Sequence, residues 1–249
     1  MEQSQDSLLE EVEVVLLRPQ WARNLGSVAR AMKNFGLQKL TLVDSRIGSW
    51  NDAYQMAVQA SDILDGAEVK TLEAALAPSR WVVGTSNHPS PGTRSISPRE
   101  VAEESILRGA PTLLFGGEIS GLDPAEMLRC HAVSTVPTSG SQSSLNLAQA
   151  VCVYGHELFS AIDLRTRSVE KGVQRSGVED AYATREMLQR LEDVLLDLLT
   201  DTDWIKATRN KNAIAELIQP FYRAGLTDKE VRAWLVAFGK VRKTLNRST

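Results

Sequence analysis

The sequence predicts an α/β domain with a mainly parallel sheet, followed by a small all-α domain. Short apolar runs of β character recur in the first part of the chain, and amphipathic helical patterns lie between several of them. Strands that alternate with helices are typical of a parallel sheet covered by helices. Beyond residue 180 only helical periodicity remains, which indicates a separate helical unit.

Five apolar runs are predicted strands: Val12–Leu17, Leu40–Val43, Trp81–Val83, Thr112–Phe115 and Ala132–Val136. The clearest helix follows the first strand. Its apolar residues recur at helical spacing between Leu25 and Phe35, and Gly36 is placed to end it. One polar face of this helix carries Arg23, Ser27, Arg30 and Asn34.

The spacing of these patterns gives the predicted domain organisation. The segment Ser86–Ser97 is rich in Ser, Pro and Gly and is predicted to be a long loop. A helix is expected from Ser144 to Asp163, and apolar periodicity is then lost. We therefore expect a sheet domain at 1–164, a linker at 165–180 and a helical domain at 181–249. Its helices are predicted at Met187–Leu198, Asn212–Ala224 and Thr227–Thr244, where Thr227 and Glu230 form a capping box.

Composition excludes several classes of protein. The chain has 249 residues, 43% of them hydrophobic, which argues against a disordered or fibrous protein. No apolar stretch is long enough for a membrane helix and the start has no signal-peptide pattern, so a soluble, cytoplasmic protein is expected. The two cysteines form no CxxC pair and the three histidines are scattered. We therefore predict neither a zinc or other metal site nor a disulfide framework.

Charge is distributed unevenly along the chain. The formal net charge is −3, which is unlike a simple nucleic-acid-binding domain. However, the stretch Arg18–Arg46 has six basic residues and one acidic residue, and the stretch from Asp203 to the end has ten basic and four acidic residues. A local excess of positive charge determines the electrostatic field that a polyanion such as RNA meets. Judged by charge alone, however, these stretches could equally well be ordinary solvated helix faces.

Three stretches carry the candidate functional residues: Arg23–Arg30, Leu114–Leu122 and Val136–Ala148. Each follows a predicted strand, and ligands bind at the carboxyl ends of strands in open α/β sheets. Taken singly, the glycines are also compatible with ordinary turns, and a serine before a helix with an N-cap. Neither a GxxxxGK[ST] nor a GxGxxG pattern is present, which argues against a nucleotide-dependent dehydrogenase.

Together, the three stretches resemble the signature motifs of the SpoU-type branch of the SPOUT methyltransferases. The matching patterns are N-x-G-x-x-A-R from Asn24 to Arg30, F-G-x-E-x-x-G-L from Phe115 to Leu122, and S-L-N-L-A from Ser144 to Ala148. The resemblance covers roughly residues 12–160. Within the branch, the chain looks most similar to the bacterial tRNA anticodon-loop 2′-O-methyltransferases.

This resemblance implies a fold and a cofactor that periodicity cannot show. The end of the sheet domain would be threaded into a trefoil knot, a rare exception to ordinary chain topology. S-adenosylmethionine would bind within the knot, largely through backbone atoms of three loops. The implied cofactor-binding residues are Thr85, Ser86, Phe115, Gly116, Gly117, Glu118, Gly121, Leu122, Val136, Pro137, Ser144, Leu145 and Asn146.

The resemblance also implies the catalytic residues. Arg30 matches the catalytic arginine of the family, and because a guanidinium stays protonated we expect it to clamp a phosphate and stabilise the developing oxyanion. Asn24 and Glu118 match positions that hold the substrate ribose or phosphate. Ser144 and Asn146 match positions that organise substrate and loop. Such contacts do not read base identity.

The implied partners are RNA and a second copy of the chain in a homodimer, with tRNA favoured over rRNA. The candidate RNA-binding residues are Arg23, Arg30, Arg94, Arg209, Lys211, Arg242 and Lys243. Two departures from the closer relatives leave the substrate open: Gly117 stands where a bulkier or basic residue is common, and Asn87-His88-Pro89 where an arginine is common. Arg94 is a candidate replacement for that charge. An rRNA methyltransferase and a catalytically silent RNA-binding protein remain alternatives.

Overall fold

The computed structural model describes residues 5–170, 182–201 and 213–245. Its sheet has seven strands: β1 Glu13–Leu17, β2 Lys39–Val43, β3 Glu68–Lys70, β4 Val82–Thr85, β5 Ser95–Ile96, β6 Thr112–Phe115 and β7 Ala132–Ser134. Their order is β3-β2-β1-β6-β4-β7-β5, and each neighbouring pair is parallel. The predicted α/β class with a mainly parallel sheet is confirmed.

The helices lie before, between and after these strands. They are α1 Gln5–Glu11, α2 Ala22–Asn34, α3 Asn51–Met56, α4 Ser61–Asp65, α5 Leu72–Leu76, α6 Pro98–Arg108, α7 Pro124–Leu128, α8 Leu147–Glu170, α9 Arg185–Asp201, α10 Ala213–Ala224 and α11 Asp228–Leu245. Within the described ranges, no helix combines the length and apolarity needed to cross a bilayer.

Two strands, β3 and β5, were not expected from the sequence. Both are short and partly exposed, so neither produces the apolar run by which the other strands are recognised. Strand β5 lies inside the segment Ser86–Ser97, which was predicted to be loop throughout. Among the described residues it pairs with β7 alone, through Ser95 opposite Val133 and Ile96 opposite Ser134.

The predicted linker at 165–180 begins within a helix. Helix α8 begins at Leu147 and continues through Glu170, so residues 165–170 are helical. Loss of apolar periodicity marks the end of packing against the sheet, whereas helix propagation needs only the backbone hydrogen bonds. The remainder of that predicted linker, residues 171–180, lies outside the described part of the chain.

The sheet is covered on both faces, which explains why its strands are almost continuously apolar. In β1, Val14 and Leu16 face one cluster with helices α2 and α8, whereas Val15 and Leu17 face a second cluster with α5 and α7. Helix α2 buries its stripe from Leu25 to Met32, and Gly36 follows with φ +73°, as its predicted position at the helix end requires.

Helices α9, α10 and α11 pack around a third cluster that includes Leu191, Tyr222 and Val231. The cluster contacts the sheet domain before β4 and β7, at the amino ends of these strands. The Glu186 backbone amide donates to the Ala77 carbonyl at 3.0 Å, and the Gln219 side-chain amide donates to the Leu128 carbonyl at 2.5 Å. The tail helices therefore dock at the sheet edge opposite the three motif loops. The predicted capping box of Thr227 and Glu230 is present before α11.

Candidate active site

A cavity of about 500 Å³ opens at the carboxyl edge of the sheet, between the loops that follow β4, β6 and β7. Its size and position are those of a small-molecule site in an α/β protein. Of the residues predicted to bind cofactor, eleven line it: Thr85, Ser86, Phe115, Gly116, Gly117, Glu118, Gly121, Leu122, Val136, Ser144 and Leu145. Pro137 and Asn146 belong to the same loop but do not line the cavity.

The turn after β6 brings backbone close to backbone. The Gly121 amide donates to the Gly117 carbonyl at 2.8 Å, and Gly121 has φ +63°. A Cβ on Gly116 would lie 2.0 Å from the carbonyl carbon of Gly121, so no larger residue fits there. The glycines thus expose backbone along one wall of the cavity, where it can approach a ligand closely.

Arg18 fixes the far end of this turn, a role that could not be predicted from the sequence, where only its charge was noted. It has φ +55°, and its guanidinium donates to both carboxylate oxygens of Glu126, at 2.5 and 3.0 Å, and to the Gly121 carbonyl at 3.2 Å. The hydrogen bond with Glu126 raises the pKa of Arg18. Glu126 itself belongs to a capping box with Asp123 at the start of α7.

A hydrogen-bonded network joins the three motifs at the mouth of the cavity. The Asn24 side-chain amide donates to Oε1 of Glu118 at 3.2 Å, and the Asn146 amide donates to Oδ1 of Asn24 at 3.0 Å. The other Glu118 oxygen accepts from the Gln20 backbone amide at 3.1 Å. Asn146 Oδ1 also accepts from the Ala148 amide at 2.9 Å, in the first turn of α8. Three predicted catalytic residues are therefore brought together.

The other two predicted catalytic residues, Ser144 and Arg30, take no part in this network. Ser144 is exposed and lines the cavity. Arg30 is exposed on the polar face of α2, and it makes no hydrogen bond or ion pair with any residue of the described ranges. Its charge is therefore available to a ligand.

The predicted RNA-binding residues have different surroundings. Arg23 is exposed and lies 3.5 Å from Asp52, and Arg242 of α11 lies 2.8 Å from Asp197. Arg94 is paired with Glu104 of α6, whose hydrogen bond raises the Arg94 pKa, so its charge is already matched within the protein. Lys243 is exposed. Arg209 and Lys211 lie outside the described residues.

Cys130 and His131 are buried beside the tail helices rather than in the cavity. Burial raises the pKa of the Cys130 thiol to about 12. Nδ1 of His131 accepts from the Val82 amide at 2.9 Å, and its ring packs edge-on against Tyr222. In the part of the chain that the structure describes, no three His, Cys, Asp or Glu side chains are grouped so as to hold a metal ion.

Ser134 and Tyr154 are among the cavity residues that were missed from the sequence. Ser134 ends β7 and Tyr154 lies on α8, and both are almost fully buried while lining the cavity. In the sequence, each occupies an apolar position of a strand or helix, so a polar role could not be distinguished from a core position. Asn87 and His88, after β4, also line the cavity.

Comparison with known proteins places these motifs in a family. The model of the SpoU rRNA Methylase family matches residues 11–156. The tRNA (cytidine/uridine-2'-O-)-methyltransferase TrmJ of Klebsiella pneumoniae is 34% identical over 232 residues, covering 90% of this chain and 93% of that protein. The corresponding protein of Escherichia coli K12 is also 34% identical, over 90% of this chain and 92% of its own.

Solved structures agree with the sequence comparison. The crystal structure of TrmJ from Z. mobilis ZM4 superposes with a TM-score of 0.78 at 26% identity, covering 93% of this chain and 99% of that one. A probable methylase family protein from Haemophilus influenzae Rd KW20 has a TM-score of 0.62 at 28% identity, covering 97% and 100%. Because the family model spans more than half of the sequence and the relatives cover nearly all of it, the chain belongs to the SpoU methylase family.

Proposed function

We propose that this protein transfers the methyl group of S-adenosylmethionine to a ribose 2′-hydroxyl of tRNA, in the anticodon loop. The observation that carries the proposal is the network of Asn24, Glu118 and Asn146, which joins all three motifs at the mouth of a cavity of ligand size. The relatives that share 34% identity over 90% of the chain are named tRNA 2'-O-methyltransferases. A related solved structure concerns 2-OH methylation of C/U34 on tRNA.

The cavity fits S-adenosylmethionine in size and in the character of its walls. The backbone exposed at Gly116 and Gly121 can hydrogen-bond a nucleoside, and Phe115, Val136 and Leu147 provide apolar surface. The same three loops, after β4, β6 and β7, would hold it. The cofactor would supply an electrophilic methyl group, so the protein must position the hydroxyl and stabilise charge on its oxygen.

Arg30 and the network would perform these two tasks. A guanidinium has no acceptor atom, so Arg30 cannot serve as a base, but it can clamp a phosphate and stabilise an oxyanion. Its exposure and lack of a partner among the described residues suit that role. Asn24 and Glu118 would hold the ribose, with Ser144 and Asn146 ordering the adjacent loop. Arg23 is a further phosphate contact.

We also propose that the cofactor loops are knotted. Strand β7 lies between β4 and β5, which precede it in the sequence. The connection from β4 to β5 must therefore pass around the strand that is later placed between them. Hydrogen bonds from the Val133 amide to the Arg94 carbonyl and from the Thr135 amide to the Ile96 carbonyl attach β7 to the far side of this loop. This arrangement supports a trefoil knot.

The protein is further proposed to be a cytoplasmic homodimer with a helical domain at its C-terminal end. Phe159 and Leu164 of α8 are 47% and 63% exposed, which suits an isologous interface along this helix. The separate cluster of α9, α10 and α11 supports a domain at 181–249, whereas α8 extends the first domain beyond 164 to Glu170. Cytoplasmic location follows from the proposed substrate.

An rRNA target is the second candidate, because the family model that matches this chain is described as an rRNA methylase family. Methyl transfer from labelled S-adenosylmethionine to purified tRNA and, separately, to ribosomal RNA distinguishes the two. We expect label in tRNA, released on digestion as a 2′-O-methylnucleoside. Label in ribosomal RNA alone would show that the substrate is rRNA and not tRNA. A methylated base would contradict the proposed reaction.

A further inference from the structure

Two large apolar side chains are exposed beside the network at the cavity mouth. Trp21 is 52% exposed and Ile119 is 72% exposed. They adjoin the two ends of one hydrogen bond, because the backbone amide of Gln20 donates to Oε2 of Glu118 at 3.1 Å. The Trp21 carbonyl also accepts from the Asn24 backbone amide at 3.0 Å. Both side chains therefore belong to the backbone that carries the network, and we call them the apolar rim.

Neither residue of the apolar rim is explained by its local structure. Trp21 occupies the N-cap position of α2 and makes no capping hydrogen bond there, although Ser, Thr, Asp or Asn would. Ile119 lies in the turn that Gly117 and Gly121 close, where small polar residues are usual. Among the described residues, neither belongs to the two apolar clusters of the sheet domain. Proteins depart from local preferences in this way chiefly at functional positions.

The charges beside the apolar rim favour RNA as its occupant. Arg23 is two residues beyond Trp21, and Arg30 lies on the same polar face of α2, and both are exposed. Single exposed apolar residues are common on protein surfaces, but an aromatic side chain among basic ones is a combination that binds single-stranded RNA. The basic side chains pair with phosphates and the aromatic ring stacks on an unpaired base. A second protein chain packed on the same surface would instead have to desolvate the two guanidinium groups.

The position of the apolar rim identifies the base that would reach it. Under the proposed function, the network holds the ribose whose 2′-hydroxyl is methylated. The base of that nucleotide is joined to C1′, the carbon next to C2′, so it lies beside the groups that hold the ribose. Ile119 lines the cavity and Trp21 does not, so the apolar rim extends outward from the cavity mouth. A base can occupy it when it is unstacked from its neighbours, as bases in RNA loops can be.

We propose that the apolar rim binds the unstacked base of the nucleotide that is methylated, with the Trp21 indole stacked on the base and Ile119 packed against it. This inference rests on the proposed function and names two positioning residues for it. Stacking of this kind accepts any base, because every base has a π-face. The apolar rim would hold the base while the network holds the ribose, which restricts the orientation of the 2′-hydroxyl.

Binding of an RNA that lacks one base tests this contact. The probe is a stem-loop from an RNA that the wild-type protein methylates, made intact and with an abasic residue at the methylated nucleotide. Trp21→Ala should bind the intact stem-loop roughly 5- to 100-fold more weakly than wild type, the usual effect of losing one base–aromatic stack. The two proteins should bind the abasic stem-loop equally well. Trp21→Phe keeps an aromatic ring and should retain most of the wild-type affinity.

Further measurements separate stacking from charge, from exposed apolar surface and from cofactor binding. Trp21→Ala should keep the wild-type slope of log affinity against log salt, because no phosphate contact is lost, whereas Arg23→Gln should flatten it. Ile119→Ala should weaken binding of the intact stem-loop by a smaller factor than Trp21→Ala. Val69→Ala is the matched control, at a 71% exposed position of β3, and should not weaken it. Affinity of Trp21→Ala for S-adenosylmethionine should be unchanged, because Trp21 does not line the cavity.

The proposal is overturned if Trp21→Ala binds the intact stem-loop as wild type does. It is also overturned if this variant loses the same factor with both stem-loops, since the ring would then contact another part of the RNA. A shift from dimer to monomer on sedimentation of Trp21→Ala would assign the apolar rim to a subunit interface instead. A wild-type protein that methylates no RNA would contradict the proposed function itself.

Discussion

The side-chain amide of Asn24 donates a hydrogen bond to Oε1 of Glu118 across 3.2 Å, linking the start of α2 to the turn after β6. The second oxygen of Glu118 accepts from the Gln20 backbone amide. Both oxygens of this carboxylate are therefore used to orient groups at the cavity mouth. The orientation of the Asn24 amide depends on Glu118 because a carboxylate can only accept.

Replacing the Glu118 carboxylate is expected to disturb this orientation and slow methyl transfer. In Glu118→Gln, an NH₂ group must face one of two donors, and a charge-assisted hydrogen bond worth about 1.5–3 kcal/mol is lost. We expect the single-turnover rate to fall roughly 10- to 100-fold, in line with that energy. Glu103→Gln, at an exposed i,i+4 pair with Arg99, is the control. A wild-type rate in Glu118→Gln would remove the carboxylate from the mechanism.

Arg30→Ala should reduce methyl transfer by roughly 10²- to 10³-fold, the usual effect of deleting one group that stabilises a developing oxyanion. Affinity for S-adenosylmethionine should be unchanged because Arg30 does not line the cavity. Lys33→Ala removes another exposed base of α2, one that pairs with Asp62, and should retain the wild-type rate. If Arg30→Ala transfers methyl groups at full rate, the proposed role of this arginine is wrong.

The protein should sediment as a dimer at working concentrations. The exposed Phe159 and Leu164 of α8 provide apolar surface for a symmetric interface. Mixing inactive Arg30→Ala subunits with Gly116→Val subunits, whose cavity wall is obstructed, tests the composition of the site. If the mixture regains activity, Arg30 acts across the interface on the cofactor bound by the partner subunit. If the mixture stays inactive, Arg30 and the cofactor site belong to the same subunit. A stable, active monomer would contradict the dimer itself.

His131 should make the protein less stable below neutral pH. Burial, followed by the charges of Arg185 and Arg108, lowers the pKa of His131 to about 3. An unfolded histidine has a pKa near 6.5, so between about 6.5 and 3 the unfolded state binds a proton that the folded state does not. The free energy of unfolding should therefore fall by about 2 kcal/mol from pH 7.5 to pH 5 through this group alone.

Urea unfolding at the two pH values measures this effect. His131→Asn retains an acceptor for the Val82 amide but has no titrating group, so its stability should change less between pH 7.5 and pH 5. His156→Asn, at an exposed position of α8, should keep the wild-type difference. Equal pH dependence in wild type and His131→Asn would show that another group is responsible.

The sequence predicted the elements that have strong periodicity and the residues that belong to motifs. Helix α2 and the network of Asn24, Glu118 and Asn146 were found in this way. Strand β5 was missed because two residues give no alternation pattern, and its existence depends on pairing with β7, which is distant in the chain. Local patterns do not specify which strands become neighbours in a sheet.

The cavity itself was only partly predictable. Backbone-lined walls could be assigned from the glycine-containing motifs, but the polar groups at the base could not. Tyr154 has the spacing of a core residue on α8, and only the cavity beside it distinguishes the two roles. Arg18 was recognised as one charge in a basic stretch, whereas its function depends on Glu126, which is far away in sequence.

The basic residues near the end of α11 belong to the tail, which docks at the sheet edge opposite the cavity. If α11 contacts RNA, it therefore extends the RNA-binding surface of the protein and is not part of the active site. Arg242 and Lys243 lie near the end of this helix, and Arg242 is only partly matched by Asp197, at 2.8 Å on an exposed surface. Such a pair contributes about 0–1 kcal/mol, so the arginine can exchange Asp197 for a phosphate.

Arg242→Gln/Lys243→Gln should weaken tRNA binding without changing affinity for S-adenosylmethionine. Each lost phosphate contact should flatten the plot of log affinity against log salt by about 0.7–0.9. Arg190→Gln, which removes an exposed base of α9 paired with Glu186, is the matched control and should keep the wild-type slope. Affinity measured at two salt concentrations decides the question. Equal slopes for the double variant and wild type would mean that these residues do not contact RNA and that α11 serves only to pack the tail.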